Sequence, residues 1–209
     1  MKTSQLGICK LNNYDDSSAD TFPFSENEKK EFLAIKNGKR KKEYLAVRHL
    51  LLEMTNKKNE ILYDTAGKPR LKKNDLQISI SHSPDLAVVF LSKEKAGVDV
   101  ENIQRRIQQV TKHFICEKEW NDINKTVNPQ LTRILYWCAK EAAFKFSPSP
   151  EIDFKKHIAI FPFDPEPEGG TFFGELSKEN PAIVLTFHYF FYENNVIVYC
   201  VEEVKNKKK

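Results

Sequence analysis

Two periodicities organise the apolar residues of this chain. Spacings of three and four, which put side chains on one face of a helix, link Tyr44, Val47, Leu51 and Met54. Alternation, which sends neighbours to opposite sides of a strand, marks 76–83, with Leu76, Ile78 and Ile80 on one side and Ser79 and Ser81 on the other. Helix boundaries follow from capping chemistry. Ser25-Glu26-Asn27-Glu28 is a capping box that starts a helix expected to end at Asn37-Gly38, where the glycine can cap it. The Tyr44 helix follows at once. Asn128-Pro129 offers an N-cap and a proline at the first helical position, and the helix it opens stops at Ser147-Pro148-Ser149-Pro150. Between them, 107–124 carries two short helical patterns with Val110, Phe114, Trp120 and Ile123 as apolar positions.

The remaining pattern is strand. Short strands are expected at 6–11 and at 61–63 and 70–71, the last two joined by the turn Asp64-Thr-Ala-Gly-Lys-Pro69. A strand at 86–91 leads through a lysine-rich turn into one that ends at Glu101. Strands at 157–161, 171–176, 182–192 and 196–204 are separated by turns at 165–170, 180–181 and 194–195, the spacing of an antiparallel meander. Residues 205–209 form a charged tail expected to fray. The fold class is α+β, running twice from helix to antiparallel strands. The polar stretch 102–106 sets expected subdomains at 1–102 and 103–209.

Composition narrows this picture. With 209 residues, 40% of them hydrophobic, the chain can bury one good core or two small ones. Its four cysteines show no C-x-x-C spacing, which points to a reducing compartment and away from disulfides or zinc. No segment has the length of a membrane span, and the first residues lack an apolar signal core, so a soluble cytoplasmic protein is expected. The balance of 33 basic against 29 acidic residues permits a phosphorylated ligand or acidic partner without requiring one. It speaks against a nucleic-acid module built on Lys39, Arg40, Lys41, Lys42 and Arg48 with Tyr44 and His49.

The candidate chemistry lies in two stretches. In Gly97-Val-Asp-Val-Glu101, Asp99 and Glu101 sit two apart and so face the same side of a strand. In Trp137-Cys-Ala-Lys-Glu-Ala-Ala-Phe-Lys145, Trp137, Glu141 and Lys145 recur at four-residue steps on one helix face, with Lys140 beside them. Either stretch alone reads as a wet strand end or a solvated ion pair. If the helix packs on the strand, three carboxylates converge, a hard-oxygen set suited to Mg²⁺ held with a phosphate.

Taken together, Gly97-Val-Asp-Val-Glu101 and Trp137-x-x-Lys-Glu-Ala-x-x-Lys145 resemble the two signature motifs of the 4'-phosphopantetheinyl transferases, of the surfactin-synthetase type. The resemblance implies a monomeric pseudo-dimer of two similar subdomains, each an antiparallel sheet packed with a long helix, with the active site in the cleft between them. It implies transfer of phosphopantetheine from coenzyme A to a serine of an acyl or peptidyl carrier protein, with no nucleic-acid or membrane partner. A catalytically dead relative that only binds carrier or coenzyme A is the alternative, against which the intact acidic and lysine set speaks.

The resemblance assigns roles by position. Asp99, Glu101 and Glu141 are the expected ligands of Mg²⁺, with Mn²⁺ as the alternative ion, and Lys140, Glu141 and Lys145 the expected catalytic groups. Arg40, Arg48, Lys68, Pro69, Ser81, His82 and Lys145 are expected to hold coenzyme A; Lys68 and Pro69 lie in the Gly-Lys-Pro turn, and Ser81 and His82 in Ile-Ser-His-Ser. Phe114 and Ile115 are the expected carrier contacts, with core positions as the equal alternative. One departure stands out: relatives commonly continue the lysine motif into a glycine-rich stretch, whereas Phe146-Ser-Pro-Ser-Pro-Glu-Ile-Asp-Phe154 contains no glycine. That difference bears on the loop over the pantetheine arm and on carrier choice.

Overall fold

In the computed structural model, which describes residues 4–72, 74–147, 149, 151–178 and 181–201, the capping signals open helices where the sequence puts them. The expected tail at 205–209, the last strand beyond 201, and Pro148, Pro150 and Asn180 in the expected turns lie outside the described residues. The chain divides into two compact units, Met1–Lys93 and Glu94–Lys209.

The first unit holds a three-stranded antiparallel sheet of β1 (Ser4–Lys10), β4 (Gln77–His82) and β5 (Leu86–Ser92), in the order β1-β5-β4. Helix α1 (Asp16–Thr21), which the hydrophobic pattern does not reveal, is opened by Asp15 and Ser18 capping each other. In α2 (Glu26–Ala34) the Ser25/Glu28 capping box is formed, but the helix ends four residues before Gly38. Asn37 instead accepts from the Arg40 N–H and opens α3 (Gly38–Thr55), so Gly38 begins a helix rather than closing one. An asparagine side chain offering a cap to the next helix outweighs the glycine's permissiveness at the end of the last. Leu50, Leu51 and Val47 of α3 pack with Ala87, Val89 and Leu91 of β5 in the core of this unit.

Between α3 and β4, β2 (Ile61–Tyr63) and β3 (Pro69–Leu71) pair in register Tyr63 to Pro69. Asp64 takes the N–H groups of Ala66 and Lys68 on one carboxylate oxygen, and Gly67 supplies the left-handed residue (φ 79°) that the turn needs.

The second unit is a five-stranded antiparallel sheet in the order β6-β10-β9-β8-β7. Its strands are β6 (Ala96–Asn102), β7 (Ile158–Ile160), β8 (Gly170–Leu176), β9 (Ile183–Tyr192) and β10 (Asn195–Val201). The last four form the expected meander, and β6 joins it by pairing with β10, Asp99 opposite Val198 and Glu101 opposite Val196. Asp99 and Glu101 thus share a unit with Trp137 and Lys145, and the boundary falls after Lys93 where the sequence sets it after Asn102. Two short helices, α4 (Gln108–Phe114) and α5 (Glu117–Ile123), precede α6 (Pro129–Phe146), whose Asn128 cap accepts from the Leu131 N–H. Of the four apolar positions expected in α4 and α5, Phe114 and Ile123 are core while Val110 and Trp120 are exposed. Each unit therefore sets an eighteen-residue helix against an antiparallel sheet.

Candidate active site

The site begins with a missing side chain. A Cβ on Gly97 would lie 1.9 Å from the Ala142 carbonyl oxygen and 2.9 Å from the Phe146 amide nitrogen. The backbone of α6 therefore rests directly on β6, an approach that no other residue at 97 permits. Four-residue spacing on α6 and two-residue spacing on β6 then bring their polar side chains together.

Two side chains of α6 bridge the elements. The Trp137 indole Nε1 donates to Glu101 Oε1 at 2.8 Å, and Lys145 Nζ donates to Asp99 Oδ1 at 2.8 Å and to the Val98 carbonyl at 3.0 Å. Asp99 and Glu101 are both buried, and Arg105, four residues beyond Glu101, turns back to pair with its Oε1. The Arg105 guanidinium also lies 5.7 Å from the Trp137 ring centre. That ring is flanked by Phe114, edge-on at 4.8 Å, and by Phe154 at 6.0 Å. Beneath the carboxylates the fully buried Cys138 thiol is held well above the usual thiol range by desolvation and by the negative charge of Asp99 and Glu101.

The electrostatics show excess negative charge. Burial, then repulsion from Asp99, push the Glu141 carboxyl from 4.5 up to about 7, while Lys145 and Arg105 pull the other way and Glu101 adds to the push. Glu101 is raised as well, by burial first and Asp99 second. Two cationic side chains do not balance three carboxylates.

The other expected site residues divide between the two units. Lys140 is fully buried, and its ammonium is divided among Glu119 Oε2, the Phe154 carbonyl and the Ile158 carbonyl, each at 2.8 Å. An ammonium has three hydrogens, so none remains for Glu141 or a phosphate. Arg48 is likewise committed inside the first unit: it pairs with buried Glu28 at 3.1 Å and with Glu31 at 3.5 Å, and its guanidinium lies 3.1 Å from the Tyr44 ring centre. Phe114 and Ile115 are core residues, so of their two expected readings the structure takes the packing one. Arg40 stands exposed at the start of α3 beside Glu43. Lys68 and Pro69 close the β2–β3 turn, while Ser81 and His82 end β4 opposite Val88 and Ala87.

Two residues of this neighbourhood are absent from the sequence reading. Arg105 lies in a stretch that reads as linker, and the turn that bonds the Arg105 N–H to the Asn102 carbonyl folds it back. Glu119 sits in a capping box with Cys116, an unusual partner that gives no capping signal.

Among the described residues, no group of three or more His, Cys, Asp or Glu side chains is arranged to hold a metal ion, and cationic heads lie against Asp99 and Glu101. The donor chemistry nevertheless fits a hard divalent cation. All three candidates are carboxylates, and the raised Glu141 marks the charge such an ion would offset. No helix among the described residues is long and apolar enough to cross a membrane. The family model of the 4'-phosphopantetheinyl transferase superfamily matches residues 95–200, half of the chain, and spans every residue of the α6–β6 contact. No curated protein matches the chain.

Proposed function

The chain belongs to the 4'-phosphopantetheinyl transferase superfamily, and from that premise we propose that it moves 4'-phosphopantetheine from coenzyme A to a serine hydroxyl of an apo acyl or peptidyl carrier protein. The products are the holo carrier and adenosine 3',5'-bisphosphate. The observation that carries this reading is the meeting of Asp99, Glu101, Glu141 and Lys145 where α6 rests on Gly97.

Asp99, Glu101 and Glu141 would hold Mg²⁺, or Mn²⁺ in its place. That ion, when bound, supplies charge neutralisation on the pyrophosphate. Lys145, partly exposed and anchored by Asp99 and the Val98 carbonyl, would meet negative charge growing on the leaving phosphate. Trp137 and Arg105 fix the orientation of the Glu101 carboxylate. The serine proton needs an acceptor within hydrogen-bond reach, either Glu141, four residues before Lys145 on the same helix face, or a water molecule.

Arg40, Lys68, Pro69, Ser81 and His82 are proposed to grip the nucleotide end of coenzyme A. Arg48 and Lys140 are left out of the contact set because buried partners use their charges. A monomeric, pseudo-duplicated plan and a cytoplasmic setting belong to the same proposal.

The test is the intact mass of an apo carrier protein incubated with this protein, coenzyme A and Mg²⁺, beside a sample with excess chelator. One phosphopantetheine gained only in the presence of metal supports the whole scheme. A gain that survives chelation refutes the metal assignment. No gain on acyl or peptidyl carriers, with coenzyme A still bound, points to the non-catalytic alternative.

A further inference from the structure

The Glu119–Lys140 pair has no part in the chemistry proposed above, yet its surroundings are built with unusual completeness. Lys140 Nζ is satisfied by three acceptors, and Glu119 in turn accepts the Cys116 N–H on Oε2 and the Ile160 N–H on Oε1, both at 3.0 Å. One buried pair thereby ties together the start of α5, the middle of α6, the backbone at Phe154 and strand β7. A buried ion pair adds little net stability over apolar residues of similar volume, so what it supplies is fixed geometry.

That geometry leads to the site. Lys140 holds the Phe154 carbonyl, and the Phe154 ring packs against Trp137 at 6.0 Å and Phe144 at 5.7 Å. With Phe114 on another side, Phe154 confines the indole whose N–H reaches Glu101. The stretch before Phe154 contains no glycine, and Ile152 and Phe154 at its end both pack against the core of this unit.

We propose that Glu119 is a positioning residue: through Lys140 and the Phe154 backbone it holds the Trp137 indole at the angle at which it hydrogen-bonds Glu101. The functional consequence rests on the transferase reading; the structural claim does not. Hydrogen-bonded partners one step removed from a reacting site typically affect activity 10–100-fold.

The experiment uses the full chain carrying Trp120→Phe, which leaves Trp137 as its sole tryptophan. The indole N–H is followed by ¹⁵N NMR in Glu119→Gln and in the double variant Glu119→Leu/Lys140→Met. The double variant removes both charges together and leaves neither ion buried alone. The expected result, in either variant that retains a cooperative melt, is a shifted indole resonance with solvent exchange faster by about tenfold. In carrier-modification assays kcat should fall by about tenfold or more while KM for coenzyme A stays within about twofold, because neither Trp137 nor Glu101 is among the residues proposed to grip the nucleotide end. A lowered melting temperature with an unchanged indole resonance would mean a purely structural pair and would overturn the proposal. Trp137→Phe separates the two layers. Undiminished kcat there would sink the role given to the Trp137–Glu101 bond in transfer, while the indole resonance still decides whether Glu119 positions Trp137.

Discussion

Replacing Glu141 by Gln should make the metal-free protein more stable at neutral pH. The carboxyl is pushed from 4.5 in the unfolded chain to about 7 in the folded one. Between those values the native state keeps a proton that the unfolded state has lost, so stability falls as pH rises through this window, and the deficit is complete above pH 7. Two and a half units at about 1.4 kcal/mol each give a ceiling of about 3–4 kcal/mol. The side chain retains some contact with solvent, and screening reduces the expected effect to about 1–2 kcal/mol. Glutamine keeps the shape and removes the charge. Urea unfolding in chelator, followed by circular dichroism from about pH 5 to about pH 8, should show the variant gaining on the wild type as pH rises. Adding Mg²⁺ should then stabilise the wild type and leave the variant nearly unchanged, since only the former keeps the full ligand set. A difference that is flat with pH, or a variant less stable at about pH 8, would refute the charge-crowding account.

Three further outcomes follow from packing. Gly97→Ala drives a methyl into the backbone of α6 and should cost about 3–5 kcal/mol, read as a lowered melting temperature of residues 94–201 expressed with the full chain; a melt like the wild type would mean α6 does not rest on β6 as described. Arg48→Met leaves the buried Glu28 carboxylate without its ion partner and should cost about 3 kcal/mol, whereas Arg40→Ala, losing an exposed pair, should cost less than about 1 kcal/mol. Equal effects in urea unfolding would contradict the burial of one and the exposure of the other. Phe114→Ala should cost about 3–5 kcal/mol as a core truncation, while Phe114→Leu, if folded, should leave carrier affinity in a titration unchanged; a selective loss of carrier binding would return Phe114 to the docking surface.

The hydrophobic pattern and the capping chemistry determined most elements of this protein, because they depend on neighbours a few residues apart. Asn128-Pro129 opens α6, Ser25 and Glu28 open α2, and the turn at Asp64 to Gly67 joins β2 to β3 through bonds made within five residues. The same local periodicities put Asp99 with Glu101, and Trp137 with Glu141 and Lys145, on single faces. Gly38 shows where local signals compete: a possible C-cap and a preceding asparagine N-cap cannot both be used, and the choice went to the helix with the longer apolar face.

Residue type and spacing did not reveal which charges would be consumed by partners far along the chain. Arg48 and Lys140 look like phosphate contacts by type, but Glu28 stands 20 positions before the first and Glu119 21 before the second. Likewise Phe114 and Trp120 are both apolar positions on short helices, yet one is buried and the other exposed. Burial of an ion depends on a partner arriving from elsewhere to offset its desolvation, and burial of a ring on α4 or α5 depends on which side of that helix meets α6. Both are settled only when whole elements close on one another, α2 with α3 around Arg48 and α5, α6 and β7 around Lys140, since no local spacing encodes a contact made by tertiary packing.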